Sequence, residues 1–184
     1  MKPDYKLPIR YGLIGGMIMC VISLVSYIFY AQLFGSMWSQ MVFGLLTMGV
    51  MIFIPVWGTV TYKHQIGKVS FIEAVTASMI VIFLTLLFSN IISYIIPNFI
   101  DTEYPQHLYD IVRNNTAATM EKFGAQDEDI EKALKGITLE QFTPTLMSTL
   151  KAFGISLGLG LILSLIVALF VSRPSKEVEI KPEA

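Results

Sequence analysis

The sequence predicts an all-α protein, an integral membrane four-helix bundle with short amphipathic helices in the long loop between helices three and four. Four apolar runs of membrane-spanning length, basic residues gathered at the run ends on one side, and one acidic polar segment carry that expectation. Composition points the same way. A hydrophobic fraction of 54%, a charged fraction of 15% and a mean hydropathy of +0.63 depart from the soluble balance of roughly 45–50% apolar and about 25% charged.

The first run, residues 11–34, contains no charged side chain. At about 1.5 Å per residue it exceeds a hydrocarbon core of about 30 Å. Lys2, Lys6 and Arg10 precede it as the basic flank of a signal peptide would. The run is longer than the roughly 7–15 residues of a signal core, however, and no small-residue cleavage site follows, so it is read as a retained span.

The second run, 38–62, is also uncharged and carries Pro55, which removes a backbone donor and predicts a kink. The short connection at Gly35 and Ser36 makes runs one and two an antiparallel hairpin. The third run, 71–96, follows Lys63 to Lys68 and is expected to end at Pro97 and Asn98. The last, 146–171, follows Thr143 and Pro144, read as an N-cap with proline at the first helical position, and stops before Arg173 and Pro174. A backbone in lipid must satisfy its own hydrogen bonds, and these runs lack the alternation of barrel strands, so each is a helix. The chain is thus expected to be one membrane domain, 1–184, with an extracytoplasmic insert at 97–143 and a cytoplasmic tail at 172–184.

Orientation follows from the basic residues. Lys2, Lys6 and Arg10 precede the first run, Lys63 and Lys68 join the second and third, and Arg173, Lys176 and Lys181 follow the fourth. The long insert has Arg113, Lys122, Lys132, Lys135 and Lys151 spread along it or just beyond. The positive-inside bias is counted near helix ends, which places both termini in the cytoplasm. Tyr11, Trp57 and Tyr62 would then mark the inner boundary, and Tyr30, Trp38 and Tyr94 the outer one.

The insert is acidic, with Asp101, Glu103, Asp110, Glu121, Asp127, Glu128, Asp129, Glu131 and Glu140. Leu108, Val112, Met120 and Phe123 recur at near-helical spacing up to Gly124, a C-cap candidate, and Ile130, Ala133, Leu134 and Ile137 form a second short pattern. Thr138 and Gln141 have the spacing of a capping box ahead of the last run. The segment is read first as a structured connector and second as a lid or docking surface. Asn114-Asn115-Thr116 matches a glycosylation acceptor, which carries meaning only in a eukaryotic secretory context.

Candidate chemistry is thin. Glu73 lies at the edge of the third run, where an acid can bind a proton or cation. Ser70-Phe71-Ile72-Glu73 is also a capping box, the reading preferred here. Arg10 and Lys151 sit near span ends and are read as snorkelling anchors. His64 and His107 fall on opposite sides of the bilayer under this topology, so no two-histidine metal centre is expected, and His107 lacks H-x-x-x-H spacing. Cys20, the single cysteine, is read as a small buried hydrophobe. Gly12 and Gly16, like Gly154 and Gly158, are G-x-x-x-G pairs, candidates for close helix packing within the chain or between copies. Thr85, Ser89, Asn90 and Ser93 form a polar stripe, read as interhelical hydrogen bonding with a pore lining as the sharper alternative.

No phosphate-binding loop, G-x-S-x-G elbow or intramembrane aspartate pair occurs. The chain is therefore expected not to be an enzyme and to need no cofactor or metal. A net charge of −1 without a basic cluster excludes nucleic acid as a partner. The expected partners are the lipid bilayer and either the chain itself or another membrane protein.

Ile9-Arg10-Tyr11-Gly12-Leu13-Ile14-Gly15-Gly16, the turn Gly67-Lys68-Val69-Ser70-Phe71-Ile72-Glu73-Ala74, and the polar insert before a glycine-rich last span together resemble the family called domain of unknown function 4199. That family comprises small four-span membrane proteins, mainly of Bacteroidota-type bacteria. The resemblance implies a bacterial inner-membrane location and supplies no activity or catalytic residue. The leading expectation is a non-catalytic accessory or scaffold protein. A small transporter or channel subunit acting as an oligomer is the alternative, and a lipid-directed enzyme using His107 and the loop acids comes third.

Overall fold

The computed structural model describes residues 4–172. Lys2, Arg173, Lys176 and Lys181, on which part of the orientation argument rests, lie outside the described residues. Among the described residues the structure is all helical, with helix α1 at Lys6–Ile28, α2 at Tyr30–Phe34, α3 at Met37–Ile66 and α4 at Phe71–Ile95. A π-helical turn at Ile96–Ile100 continues α4. Then come α5 at Tyr104–Lys122, α6 at Asp127–Lys135, a 3-10 turn at Leu139–Gln141 and α7 at Leu146–Val171. Four helical segments, Lys6–Ile28, Trp38–Ile66, Phe71–Ile100 and Leu146–Val171, are long and apolar enough to cross a membrane, with mean hydropathies of 1.9, 2.0, 2.4 and 2.6.

The ends of these helices differ from the sequence reading for local reasons. α1 begins at Lys6 because Asp4 Oδ1 accepts the Lys6 N–H at 3.0 Å, and Pro8 falls in the first turn, where its missing donor costs little. The first run divides at Phe29, beyond which α2 leads into a turn. There the Phe34 carbonyl accepts the side-chain amides of Gln40 and Asn115. α3 continues unbroken through Pro55, where Thr59 Oγ1 donates to the Pro55 carbonyl at 2.7 Å. It ends at Gly67, whose φ of +86° only glycine adopts without strain.

Pro97 does not stop the third run. A π turn, in which Asp101 N–H bonds the Ile96 carbonyl at 2.9 Å, carries the backbone past the proline's missing donor. α7 starts later than Thr143 and Pro144. Its N-cap is Thr145, paired reciprocally with Ser148, a box whose third-position serine is less conspicuous than Glu or Gln. Thr138 makes no side-chain cap bond.

α4 is the central helix and packs against α1, α3 and α7. On its α1 side, a β-carbon at Gly12 would stand 2.8 Å from Leu84 Cβ, and one at Gly16 2.7 Å from Phe88 Cδ2. On its α7 side, Gly160, Ser164 and Ala168 are buried, and Gly160 faces Ile82. Tyr62, Val69, Ala74, Ala77, Val167, Ala168 and Val171 form the tight core at the end of the bundle bearing the α3–α4 turn. Tyr62 is 1% exposed and stacks on Tyr5 at 5.9 Å, so it belongs to this core and not to a lipid-facing belt.

The opposite end is covered by the segment after the π turn. Tyr104 of α5 packs edge-on against Tyr27 and Tyr30, each at 5.4 Å. Asn98 donates to the Tyr94 carbonyl at 2.9 Å and the Pro144 carbonyl at 3.0 Å, tying the two ends of the segment together. α5 ends before Gly124, whose φ is +75°. α6 has acidic Asp127, Glu128 and Asp129 in its first turn. Along its exposed side run two i,i+4 ion pairs, Glu128–Lys132 and Glu131–Lys135, each 2.9 Å.

Candidate functional site

The hydroxyl groups that the sequence distributes over three apolar helices converge between them. α1 contributes Ser23 and Ser26, α3 contributes Thr47, and α4 contributes Ser89 and Ser93 to one cleft of about 270 Å³. Tyr27, Ile96, Pro97 and Tyr104 line its mouth, beneath the start of α5. The proline shapes this end, because the π turn it occupies carries the chain over the cleft toward Asp101 and α5.

Asp101 organises the mouth. Its Oδ1 accepts the backbone N–H groups of Glu103 and Tyr104, each at 3.1 Å, and its Oδ2 accepts the Tyr27 hydroxyl at 3.2 Å. The carboxylate thereby fixes the first turn of α5 against α1. Burial, reinforced by the Tyr30 and Tyr27 rings and by Asp101, pushes the Tyr104 phenol above its ordinary pKa, so it stays protonated at neutral pH.

Met19, 5% exposed, lies at the inner end of the cleft. One turn further along α1, Gly15 contacts Thr85 and Ile54, closing α1 against α4 and α3. The Thr85 hydroxyl is buried there without a hydrogen-bond partner among the described residues.

The polar stripe of α4 is thus divided. Ser89 and Ser93 line the cleft, Thr85 lies in the closed layer beneath it, and Asn90 donates to the Leu86 carbonyl of its own helix at 2.8 Å. The two glycine pairs also part company. Gly12 and Gly16 press against α4, whereas a β-carbon at Gly154 or Gly158 would meet nothing within 4 Å among the described residues. Sequence spacing alone could not separate Gly158 from Gly160, two residues apart on opposite sides of α7.

At the start of α4, Ser70 and Glu73 bond reciprocally. Ser70 N–H donates to Glu73 Oε2 at 2.8 Å and Glu73 N–H donates to Ser70 Oγ at 3.3 Å. His107 Nε2 lies 3.7 Å from Glu103 Oε2 on the exposed side of α5. Among the described residues no group of three or more His, Cys, Asp or Glu side chains is placed to hold a metal ion.

A second concavity, about 650 Å³, runs between α3 and α7 near the α3–α4 turn. Its walls are mostly apolar, including Ile52, Val56, Leu163 and Ile166, with Lys63 and His64 at the α3–α4 turn, and it opens on the outside of the bundle. The serine signal for the first cleft was present in the sequence on α4. Ser23, Ser26 and Thr47 carry no such signal, because single hydroxyls in apolar helices have no periodicity to reveal them.

The sequence model of one family, described as Protein of unknown function (DUF4199), matches residues 10–173. The chain belongs to the DUF4199 family. The match begins at Arg10 within α1 and runs past the end of α7, so the DUF4199 unit contains most of α1, the other three apolar helices and the segment that covers the cleft. Comparison with curated proteins and with solved structures finds no significant match.

Proposed function

We propose that this DUF4199 protein is a non-catalytic accessory or scaffold protein of the bacterial inner membrane, crossing it four times with both termini in the cytoplasm. The observation that carries the reading is the second small-residue face of α7. Gly160 is used within the bundle, while Gly154 and Gly158 point into open space, flanked by Ile155 and Leu159 at 68% and 64% exposure. In lipid such a face brings no solvent-exclusion force to association, but it lets another helix approach closely enough for backbone packing. Its occupant is another copy of the chain or a span of a different membrane protein.

The topology is supported by the end of the bundle at which charge collects. Lys6 and Arg10 begin α1, and Lys63 and Lys68 flank the α3–α4 turn, at the end where Tyr5 stacks on Tyr62. The segment that carries α5 and α6, acidic as a whole, lies at the other end. Reporter fusions test this: the α5–α6 segment is expected outside and the C-terminus inside, and a shared compartment overturns the topology.

Purification from native membranes in mild detergent tests the role. The full chain is expected as a stoichiometric oligomer or complex that Gly158→Leu dissociates, and a wild-type chain recovered strictly as a partnerless monomer counts against the reading. The hydroxyl-lined cleft favours a second reading, a small transporter or channel subunit. The contact of Gly15 with Thr85 and Ile54 separates that cleft from the inner half, so a path across the membrane would need a second conformation or a second copy.

A further inference from the structure

We propose that the cleft between α1, α3 and α4 is a binding site for small uncharged polyols. It stands independently of the accessory reading, because it concerns the interior of one chain. The lining hydroxyls come from three separate helices yet meet at one level: Ser23 and Ser26, Thr47, and Ser89 and Ser93. Thr47 Oγ1 is engaged with the Phe43 carbonyl of its own helix at 2.9 Å. None of the four serine hydroxyls has a hydrogen-bond partner among the described residues.

Ser23, Ser26 and Ser89 are half-buried and Ser93 is exposed at the open side of the cleft, so an apolar occupant would cover hydroxyls without pairing them, which selects against it. A serine hydroxyl offers one donor and two acceptor lone pairs. An array of such groups matches a molecule that also donates and accepts at adjacent atoms. Charge is selected against as well. Among the described residues no side chain that is charged at neutral pH lines the cleft, so an ion entering it would shed hydration without a counter-charge. Asp101, the carboxylate at the mouth, already accepts from Tyr27 and from two backbone N–H groups. The cleft, about 270 Å³ and open on one side, accommodates one short-chain alditol, whereas a disaccharide would extend beyond it.

The polyol has two sources, a free alditol or the terminal glycerol of a phosphatidylglycerol headgroup, and both offer vicinal hydroxyls. The experiment uses the full chain, purified in mild detergent, with Cys20→Ser as background. Ser26→Cys and Ser93→Cys each place a thiol in the cleft, and Ser164→Cys places one in the buried α4–α7 contact. Reaction with a charged methanethiosulfonate reagent is followed by mass spectrometry.

Both cleft thiols are expected to react at least about tenfold faster than the one at position 164. Erythritol or xylitol should slow them severalfold, and sucrose at matched osmolality should not. Ser89→Leu in the same background should abolish the protection. Micelles doped with phosphatidylglycerol in place of phosphatidylcholine form the second arm. Protection by that lipid without protection by alditols assigns the headgroup as the source, and the reverse assigns the free polyol. Cleft thiols as slow as position 164, or no protection in either arm, overturn the proposal, as does equal protection by sucrose.

Discussion

Gly160 of α7 faces Ile82 of α4 so closely that a β-carbon on the glycine would stand 2.6 Å from Ile82 Cγ2. Because Ile82 is β-branched and 2% exposed, that methyl group has little freedom to retreat. Gly160→Ala is therefore expected to destabilise the bundle by about 1–3 kcal/mol, the usual cost of overpacking. Gly158→Ala adds a methyl group to open space and removes a flexible helix interior residue, so it should leave stability unchanged or raise it by up to about 1 kcal/mol. Thermal unfolding of the two variants in one detergent compares them, and equal midpoints would contradict the α4–α7 register.

Ser70 begins α4 with a reciprocal pair to Glu73, and α4 is the helix with the most extensive packing against the other spans. Ser70→Ala removes an acceptor for the Glu73 N–H and leaves a helix-terminal donor to solvent. The expected loss is about 1 kcal/mol, or roughly 2–4 °C in melting midpoint for a chain of this size. Ser70→Thr, which keeps the hydroxyl, should restore most of it. Loss of the same size in both variants would assign the effect to packing at Ser70 and not to the cap.

The elements that could be read in the sequence are those governed by one repeating requirement. Four apolar runs had to be helices because lipid offers the backbone no partners, and the structure has helices long and apolar enough to cross a membrane at those places. The Ser70 box was visible because both partners lie within four residues and have the expected types. Helix ends set by contacts remote in sequence were not visible. The break at Phe29 precedes a turn held partly by Asn115, and α4 passes Pro97 because the π turn supplies a different hydrogen-bond pattern. The cleft was legible only on α4, where Ser89 and Ser93 share a face. Its other walls depend on how three helices are rotated about their axes, which near-uniform hydrophobicity leaves unspecified.

Asp101 holds the first turn of α5 through two N–H groups and reaches α1 through Tyr27. Asp101→Ala removes the acceptor of all three donors at once and should free that turn. Hydrogen exchange at Tyr104 to Leu108 is expected to accelerate about fivefold, the equivalent of ~1 kcal/mol for a lost helix-start acceptor. Asp101→Asn retains one carbonyl oxygen and should lie between the two. Tyr27→Phe removes only the link to α1 and should leave exchange in the first turn of α5 close to wild type. Identical exchange in wild type and Asp101→Ala would remove the carboxylate from the account of how the mouth of the cleft is built.

Tyr62 presents the opposite situation, a polar atom that the fold buries without use. Its ring is 1% exposed within the tight core and stacks on Tyr5, yet its hydroxyl has no hydrogen-bond partner among the described residues. Removing a buried unsatisfied hydroxyl while keeping the ring relieves a desolvation cost of about 1–3 kcal/mol and leaves the packing in place. Tyr62→Phe is therefore expected to raise the melting midpoint, whereas Tyr62→Ala should lower stability by about 3–5 kcal/mol through the cavity it leaves. A Tyr62→Phe protein less stable than wild type would show that the hydroxyl is hydrogen-bonded in the membrane-embedded chain, and thermal unfolding of the three proteins in the same lipid–detergent mixture decides it.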